Sequence, residues 1–282
     1  MKKIHTTTLP GGEAVPVLGQ GTWRMGERAD RRRGEVAALR EGIELGMTVI
    51  DTAEMYADGG AEEVVGAAIA GRRDDVFVIS KVYPHNATAT KMVAACERSL
   101  RRLGTDRIDL YLLHWRGDVP LRETLEGFDL LLRAEKIRYA GVSNFDMSDM
   151  EELFALEGGK RLVANEVMYN LERRGIEADL VAWCRRRKRA VIAYSPIEEG
   201  LLAGKTHEGL REVAERHDAT PVQIALAWTI REPGVVAIPK AASVVHVREN
   251  RGAADIRLTQ RDLDDLDAHF APPDAPIPLA TR

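Results

Sequence analysis

The chain has 282 residues and a formal net charge of -4, with 30% charged and 45% hydrophobic residues. This is the composition of an ordinary globular protein, and its interspersed charges do not favour a nucleic-acid-binding surface. No segment has the roughly 18 consecutive apolar residues of a membrane span, and the N-terminus lacks the apolar core of a secretory signal. The two cysteines are distant in sequence and make no disulfide framework. We therefore expect a cytoplasmic protein.

The first predicted element is a β-hairpin over residues 1–15, which turns at the sequence LPGG. Eight short apolar segments follow and alternate with segments of helical periodicity. These predicted strands lie at residues 17–22, 48–53, 76–82, 110–115, 139–144, 162–169, 190–197 and 235–241. The clearest predicted helices lie at residues 33–46, 90–104, 146–159 and 219–232. A proline-rich tail, residues 271–282, is expected to pack loosely.

Apolar strands that alternate with helices are typical of a parallel sheet covered on both faces. Eight such units in a chain of this length predict a (β/α)8 TIM barrel, formed by a single domain over residues 1–282 with the hairpin as an N-terminal cap. The alternative is a doubly wound open sheet, which normally has a glycine fingerprint after its first strand. Gly19 and Gly21 are present, but Arg24 occupies the third glycine position, so we reject this alternative.

Polar residues end each predicted strand, where a barrel carries its chemistry. Asp51, Lys81 and His114 end three consecutive strands, which lie about 4.8 Å apart in a parallel sheet. A lysine in the apolar sequence VFVISKV is costly to bury without a partner, and Asp51 is its natural partner. The other strands end in Ser143, Asn144, Asn165, Glu166, Tyr194, Ser195 and Lys240.

Tyr56 follows Asp51 by five residues, in a predicted loop at the same end of the barrel. A phenol is a poor acid at neutral pH, but a nearby lysine cation stabilises the phenolate and lowers its pKa. We therefore expect Tyr56 to donate a proton, Asp51 to position Lys81, and His114 to hydrogen-bond a substrate carbonyl oxygen. This set of residues suits the reduction of a carbonyl group.

With these residues and seven short motifs, the chain resembles the aldo-keto reductase family. The motifs are GQGTW at 19–23, IDTAEMY at 50–56, SKV at 80–82, LYLLHW at 110–115, GVSNF at 141–145, AYSP at 193–196 and IPKA at 238–241. In detail the chain resembles bacterial members that reduce methylglyoxal and other small aldehydes. The resemblance implies an NADPH-dependent barrel enzyme without a metal, with NADH as a second usable cofactor, and with Asp51, Tyr56, Lys81 and His114 as the catalytic tetrad. We expect a monomer.

The resemblance also implies a cofactor site, residue by residue. The implied residues are Thr22 and Trp23 near the nicotinamide, Asp51 at its ribose, Ser143, Asn144 and Glu166 at its carboxamide, Tyr194 stacked on its ring, Ser195 and Ile197 at the pyrophosphate, and Lys240, Ala241, Ser243, His246, Glu249 and Asn250 at the adenosine phosphate.

The chain departs from the family pattern at two of these positions. Glu166 replaces the usual glutamine, and an ionised carboxylate only accepts hydrogen bonds. Its charge should favour the oxidised, cationic nicotinamide ring. His246 replaces an arginine found in many NADPH-specific members, and a neutral imidazole lacks the guanidinium fork. Lys240 remains, and we expect Arg248 to reach into the phosphate pocket.

Five aromatic or polar side chains are expected to line the substrate mouth: Trp23, Tyr56, Tyr83, His114 and Trp115. The segment after the seventh strand, residues 198–209, is short, which predicts an open site for small carbonyl compounds. A metal-dependent hydrolase would need clustered ligands such as an HxH pair, and the sequence has none. The remaining alternative is a nucleotide-binding regulatory or interaction module with residual reductase activity.

Overall fold

A computed structural model of the chain describes residues 2–203 and 207–281. Eight parallel strands form one sheet in sequential order, with helices between them, which confirms the predicted (β/α)8 barrel. The barrel strands are β3 (Gln20–Gly21), β4 (Val49–Asp51), β5 (Phe77–Val82), β6 (Ile108–Leu113), β7 (Ile137–Ser143), β8 (Ala164–Met168), β9 (Ala190–Tyr194) and β10 (Val235–Ala237). The prediction of a single domain over residues 1–282 stays a prediction.

Ten α-helices in the described ranges surround the sheet or follow it. They are α1 (Arg32–Glu44), α2 (Gly60–Ile69), α3 (Ala89–Leu103), α4 (Leu121–Arg133), α5 (Met147–Ala155), α6 (Leu180–Arg186), α7 (Glu208–Arg216), α8 (Pro221–Thr229), α9 (Val244–Gly252) and α10 (Gln260–His269). None of the helices that the structure describes is long and apolar enough to cross a membrane.

The barrel closes between its first and last strands, where the backbones approach closely. The Gly19 N–H donates to the Ala237 carbonyl at 2.8 Å, and the Gly21 N–H donates to the Pro239 carbonyl at 3.1 Å. A Cβ atom at Gly21 would lie 2.7 Å from the carbonyl oxygen of Ile238, so only glycine fits there. The first strand is shorter than the predicted 17–22 because regular pairing with β4 covers only two residues.

The predicted hairpin is present as two antiparallel strands, β1 (Thr6–Thr8) and β2 (Ala14–Pro16). It lies at the N-terminal end of the barrel strands, where Glu13 forms an ion pair with Arg138 of β7. Arg138 in turn contacts Asp109 of β6 at 3.1 Å, and Asp109 also accepts hydrogen bonds from Arg73 at 2.7 Å and from the Val78 N–H at 2.8 Å. A buried carboxylate therefore links the hairpin cap to three barrel strands.

We expect the substitution Asp109→Asn to lower the free energy of unfolding by about 2 kcal/mol, because two arginines lose the charge of a carboxylate that is only 1% exposed. Urea unfolding at neutral pH measures this. The matched control is Asp106→Asn, whose side chain is 87% exposed and pairs only at 3.7 Å, and which should change stability by less than about 0.5 kcal/mol. Equal losses in the two variants would contradict the assignment.

The predicted strand ends run past the observed ones by up to four residues. The prediction 235–241 covers a strand that ends at Ala237, and 190–197 covers one that ends at Tyr194. The residues after these strands are the loops at the C-terminal end of the barrel. They are apolar enough to continue the sequence pattern, but they line a cavity and leave the sheet.

Candidate active site

Four of the predicted residues meet at the C-terminal end of the barrel. Asp51 is the last residue of β4, Lys81 is the second-last residue of β5, and His114 directly follows β6. Tyr56 lies in a 3₁₀ turn after β4. All four are buried, with between 0% and 8% of their surface exposed. Parallel pairing of β4, β5 and β6 brings these strand ends together, as the sequence predicts.

The Lys81 ammonium is the centre of the cluster. Its Nζ donates to Asp51 Oδ1 at 2.6 Å, to the Thr52 carbonyl at 3.1 Å and to the Tyr56 hydroxyl oxygen at 3.1 Å. Because Lys81 donates to the phenol oxygen, the phenol proton is left to point elsewhere. Tyr56 lines the cavity described below, so this proton is available to a molecule bound there.

The pKa of Tyr56 differs from the expectation. Burial raises it well above the ordinary value for a phenol, and the charges of Asp51 and Glu166 act in the same direction. Lys81 lowers it, as expected, but does not outweigh burial. The prediction of a net lowering is therefore wrong for the protein alone: Tyr56 holds its proton firmly and loses it only to a strong base.

His114 is a neutral imidazole at physiological pH. Burial, with a smaller contribution from the Lys81 charge, lowers its pKa to about 2. The ring makes edge contacts with Tyr56 at a centroid distance of 5.7 Å and lies 5.0 Å from the ring of Trp115. One ring nitrogen, Nδ1, is buried without a hydrogen-bond partner among the described residues. A neutral imidazole can donate one hydrogen bond to a carbonyl oxygen without adding charge.

Glu166 belongs to the same cluster. Its Oε1 lies 3.2 Å from Lys81 Nζ, and its Oε2 is buried without a hydrogen-bond partner in the described part of the chain. Burial, followed by the charge of Asp51, raises its pKa well above the ordinary range, and Lys81 opposes this only in part. Glu166 was expected to be ionised, whereas its surroundings favour the protonated acid.

The polar residues after β7 form a second hydrogen-bonded group. Asn144 donates through Nδ2 to the Ser143 hydroxyl at 3.2 Å and to the His114 carbonyl at 3.2 Å. Its Oδ1 accepts from the Tyr194 hydroxyl at 2.9 Å. Asn144 has a positive φ of 57°, a conformation that asparagine tolerates better than most residues. These contacts fix the side chains that the sequence analysis assigned to the carboxamide and to ring stacking.

A cavity of about 780 Å³ joins this group to α9. Most of the predicted site residues line it: Trp23, Asp51, Tyr56, His114, Trp115, Ser143, Asn144, Glu166, Tyr194, Ser195, Ile197, Lys240, His246, Glu249 and Asn250. Trp23 and Trp115, each nearly 40% exposed, form its rim. Residues 204–206 of the segment predicted to be a short lid lie outside the described residues.

Several predicted residues do not line the cavity. Thr22 is fully buried and donates to the Asp51 carbonyl at 2.9 Å, so it supports β4. Ala241 packs in a hydrophobic core cluster, and Ser243 is the N-cap of α9. Tyr83 contacts the ring of Trp115 edge-on at 5.8 Å, behind the rim. These residues hold neighbouring lining residues in place.

Ten further residues line the cavity that the sequence pattern did not indicate. They are Gly21, Arg24, Met55, Pro196, Glu199, Gly200, Thr220, Pro221, Val222 and Ile238. The signal for Arg24 was its position directly after the motif GQGTW, where it was considered only as a failed glycine position. Thr220 and Pro221 begin α8, and were read only as a helix start.

The end of the cavity near α9 is basic. Partial desolvation lowers the pKa of Lys240, and the charges of Arg31 and Arg24 lower it further, while Glu35 acts in the opposite direction. Arg248 does not contribute in the way we expected, because its Nε is bound to Glu41 of α1 at 2.7 Å. The expectation that Arg248 reaches the phosphate pocket is wrong in this structure, and Arg24 is the arginine that lines the cavity.

Within residues 2–203 and 207–281, no group of three His, Cys, Asp or Glu side chains is arranged to hold a metal ion. The ionisable groups at the barrel end are instead bound to one another around Lys81.

Comparison with known proteins gives concordant results. A family model described as "Aldo/keto reductase family" matches residues 17–271. The chain is 50% identical over 269 residues to methylglyoxal reductase YeaE of Escherichia coli, covering 93% of this chain and 94% of that protein. It is 33% identical over 266 residues to a glyoxal reductase of Bacillus subtilis, with 93% and 92% covered. An aldo/keto reductase from Klebsiella pneumoniae, crystallised with NADP and acetate, superposes with a TM-score of 0.96 at 49% identity over 100% of both chains.

Proposed function

The chain belongs to the aldo/keto reductase family and is an oxidoreductase, and we propose that it uses NADPH to reduce small aldehydes and α-dicarbonyl compounds such as methylglyoxal to alcohols. The observation that carries the proposal is that Tyr56, with Lys81 bound to its oxygen, and His114 line one cavity together with Arg24 and Lys240. A cytoplasmic location and a monomeric state stay predictions.

The cavity has the hydrogen-bonding, aromatic and cationic groups that NADPH would need. Glu166 Oε2, which is buried without a hydrogen-bond partner among the described residues, would accept a hydrogen bond from the NH₂ of the nicotinamide carboxamide. Ser143 and Asn144 line the same cavity, as does Tyr194, whose ring we assign to stacking on the nicotinamide. At the other end, Lys240 and Arg24 offer cations for phosphate groups. When bound, NADPH supplies the hydride that adds to the carbonyl carbon.

The chain's own residues then control the proton. The Tyr56 hydroxyl donates its proton to the carbonyl oxygen as negative charge develops there. With its raised pKa this phenol gives up its proton only to a strong base, and the developing alkoxide is such a base. Lys81 stabilises the phenolate through its 3.1 Å hydrogen bond, and Asp51 holds Lys81 in place. Neutral His114 donates a hydrogen bond to the same carbonyl oxygen and so orients the substrate.

The substrate class follows from the rim. Two tryptophan rings and the edges of Tyr56 and His114 surround the entrance, with Trp23 and Tyr56 in edge contact at 4.9 Å. Apolar walls with two polar groups at the base suit a small carbonyl compound. The similarity to methylglyoxal and glyoxal reductases agrees with this class.

The test is a set of initial rates with methylglyoxal, with NADPH and NADH, for the wild type and for Lys240→Ala. We expect NADPH oxidation by the wild type. We expect the variant to raise the KM for NADPH by about tenfold or more, since it removes a charge-assisted contact, and to change the KM for NADH little. The matched control is Arg248→Ala, whose side chain is engaged with Glu41 and should affect neither KM strongly.

Equal effects of Lys240→Ala on both cofactors would contradict a phosphate site at this residue. A wild type that binds NADPH but reduces neither methylglyoxal nor any other carbonyl compound would contradict the proposed activity, and would favour the nucleotide-binding module instead.

A further inference from the structure

The Lys81 ammonium has three N–H donors but four acceptors around it. Three of the acceptors receive hydrogen bonds, and the fourth, Glu166 Oε1, is held at an ion-pair distance of 3.2 Å. The other oxygen of Glu166 has no hydrogen-bond partner among the described residues. The carboxyl group of Glu166 is thus the surplus acceptor in a site where it is 1% exposed.

Charge leads to the same conclusion. Asp51 and Glu166 together would carry two negative charges against the single positive charge of Lys81, and the two residues are only 2% and 1% exposed. An excess buried charge is costly, and a carboxyl group in this position retains a proton. Burial raises the pKa of both carboxyl groups, and the charge of Asp51 raises that of Glu166 further. Asp51 Oδ1 also has the shorter contact with Lys81 Nζ, 2.6 Å against 3.2 Å for Glu166 Oε1. The proton therefore resides on Glu166.

We propose that Glu166 holds the proton that carbonyl reduction consumes, and that it passes this proton to Tyr56 through Lys81; the inference rests on the proposed function. Tyr56 gives its proton to the carbonyl oxygen, Lys81 gives one to the Tyr56 oxygen, and the Glu166 carboxylic acid gives one to Lys81. Tyr56 and Lys81 end as they began, and Glu166 ends as a carboxylate. Solvent returns a proton to Glu166 after the product and the oxidised cofactor leave.

The distances allow this transfer within the protein. Lys81 Nζ is 3.1 Å from the Tyr56 oxygen and 3.2 Å from Glu166 Oε1, so one ammonium group bridges the donor and the acceptor. Burial disfavours a phenolate at Tyr56. At Lys81 burial favours the neutral amine, but the neighbouring acidic groups, Asp51 first, outweigh burial and keep the ammonium charged. Neither group therefore serves as the lasting source of the proton, and the surplus acid beside them does.

Glu166 also keeps the net charge of the buried site constant. The nicotinamide ring is positively charged in NADP⁺ and neutral in NADPH. A carboxyl group that is neutral when the ring is reduced and negative when the ring is oxidised balances this change. Without it, the buried site would gain an unpaired charge, which is costly to desolvate. A glutamine at this position has no proton to release.

The titratable groups in this part of the barrel come from four elements. They are Asp51 and Tyr56 from β4 and its loop, Lys81 from β5, His114 after β6, and Glu166 from β8. His114 is neutral near pH 7 and Tyr56 is protonated, so the carboxyl pair is what exchanges a proton. Ser143, Asn144 and Tyr194, from β7, its following loop and β9, add hydrogen-bonding groups.

The experiment counts the protons exchanged when each cofactor binds, by titration calorimetry in two buffers of different ionisation enthalpy. NADP⁺ and NADPH share the adenosine and its phosphates, so the difference between them reports the nicotinamide end. For the wild type near pH 7 we expect the binding of NADP⁺ to release up to about one proton more than the binding of NADPH. The Kd for NADP⁺ should therefore fall by up to about tenfold for each unit by which the pH rises. In Glu166→Gln this difference should vanish.

The control is Glu62→Gln, a buried carboxyl group outside the cavity that is bound to Ser80 and Arg102, and this variant should keep the difference between the cofactors. Infrared difference spectra of the two complexes give a second reading. The band of a protonated carboxyl group should be lost in the NADP⁺ complex of the wild type and of Glu62→Gln, and it should be absent from both complexes of Glu166→Gln. Persistence of the band in Glu166→Gln would place the proton on another carboxyl and overturn the inference. Equal proton counts for the two cofactors in the wild type would overturn it as well, whereas a protein that binds neither cofactor would overturn the proposed function itself.

Discussion

Tyr56→Phe is expected to lower kcat for methylglyoxal by about 10²- to 10⁴-fold, the range that a positioned general acid contributes. The substitution removes one oxygen and leaves the ring, so its edge contacts with Trp23 and His114 remain. Lys81 loses one acceptor but keeps Asp51 and the Thr52 carbonyl. We therefore expect the Kd for NADPH to change little, and the loss to fall on turnover.

Two measurements, stopped-flow rates of NADPH oxidation and calorimetric binding of NADPH, separate these effects. Tyr83→Phe is the matched control, because it removes a hydroxyl from a tyrosine beside the same entrance that does not line the cavity. It should alter the rate by no more than about twofold. If Tyr56→Phe retained a tenth of the wild-type rate, another group would have to be the acid.

Lys81→Met should have the second large effect, on stability as well as on turnover. It removes the cation that Asp51 and Glu166 share, and breaking a buried ion pair on one side costs about 3–5 kcal/mol. Turnover should also be lost, because Tyr56 would no longer have a cation beside its oxygen.

This loss of stability should depend on pH. Without Lys81, burial holds the pKa of Asp51 and Glu166 above their values in the unfolded chain, which are near 4. A raised pKa in the folded state means that stability is present below the unfolded pKa and is lost as the pH rises through the folded one. Urea unfolding should therefore show a smaller deficit relative to wild type at pH 5 than at pH 8.

The control is the triple variant with Lys81→Met, Asp51→Asn and Glu166→Gln, which removes all three ionisable groups and keeps side chains of similar size. We expect it to recover most of the stability at pH 8 and none of the turnover. A deficit in Lys81→Met that is the same at pH 5 and pH 8 would show that lost packing, and not the uncompensated carboxylates, is the cause.

The sequence predicts the barrel and its active end well, for a simple physical reason. In a parallel sheet covered by helices the strands are apolar along their length, so a lysine or an aspartate at a strand end is conspicuous. Asp51, Lys81 and His114 stand out in this way, and consecutive strands are neighbours in the barrel. Their meeting therefore follows from local pattern and from connectivity.

Other properties depend on contacts between distant segments, which a local pattern does not contain. The pKa of Tyr56 is set by the balance between burial and Lys81 charge, and the sequence gives only the second. Arg248 pairs with Glu41, more than 200 residues away in the sequence. The residues around Arg248 therefore do not indicate that its side chain turns away from the phosphate pocket. The surplus of acceptors at Lys81 likewise appears only once Glu166 is placed beside it.

Asp109, which links the barrel to the hairpin cap, lies at one end of β6, and the active-site cavity lies at the other end. Asp109 and His114 are five residues apart along β6, or about 16 Å at the rise of a β-strand. Substitutions at such a separation, with no shared partner, have additive effects on stability. Directed evolution could therefore randomise the cavity rim at Trp23 and Trp115 for new carbonyl substrates, while a strengthened cap compensates for the stability that these changes lose.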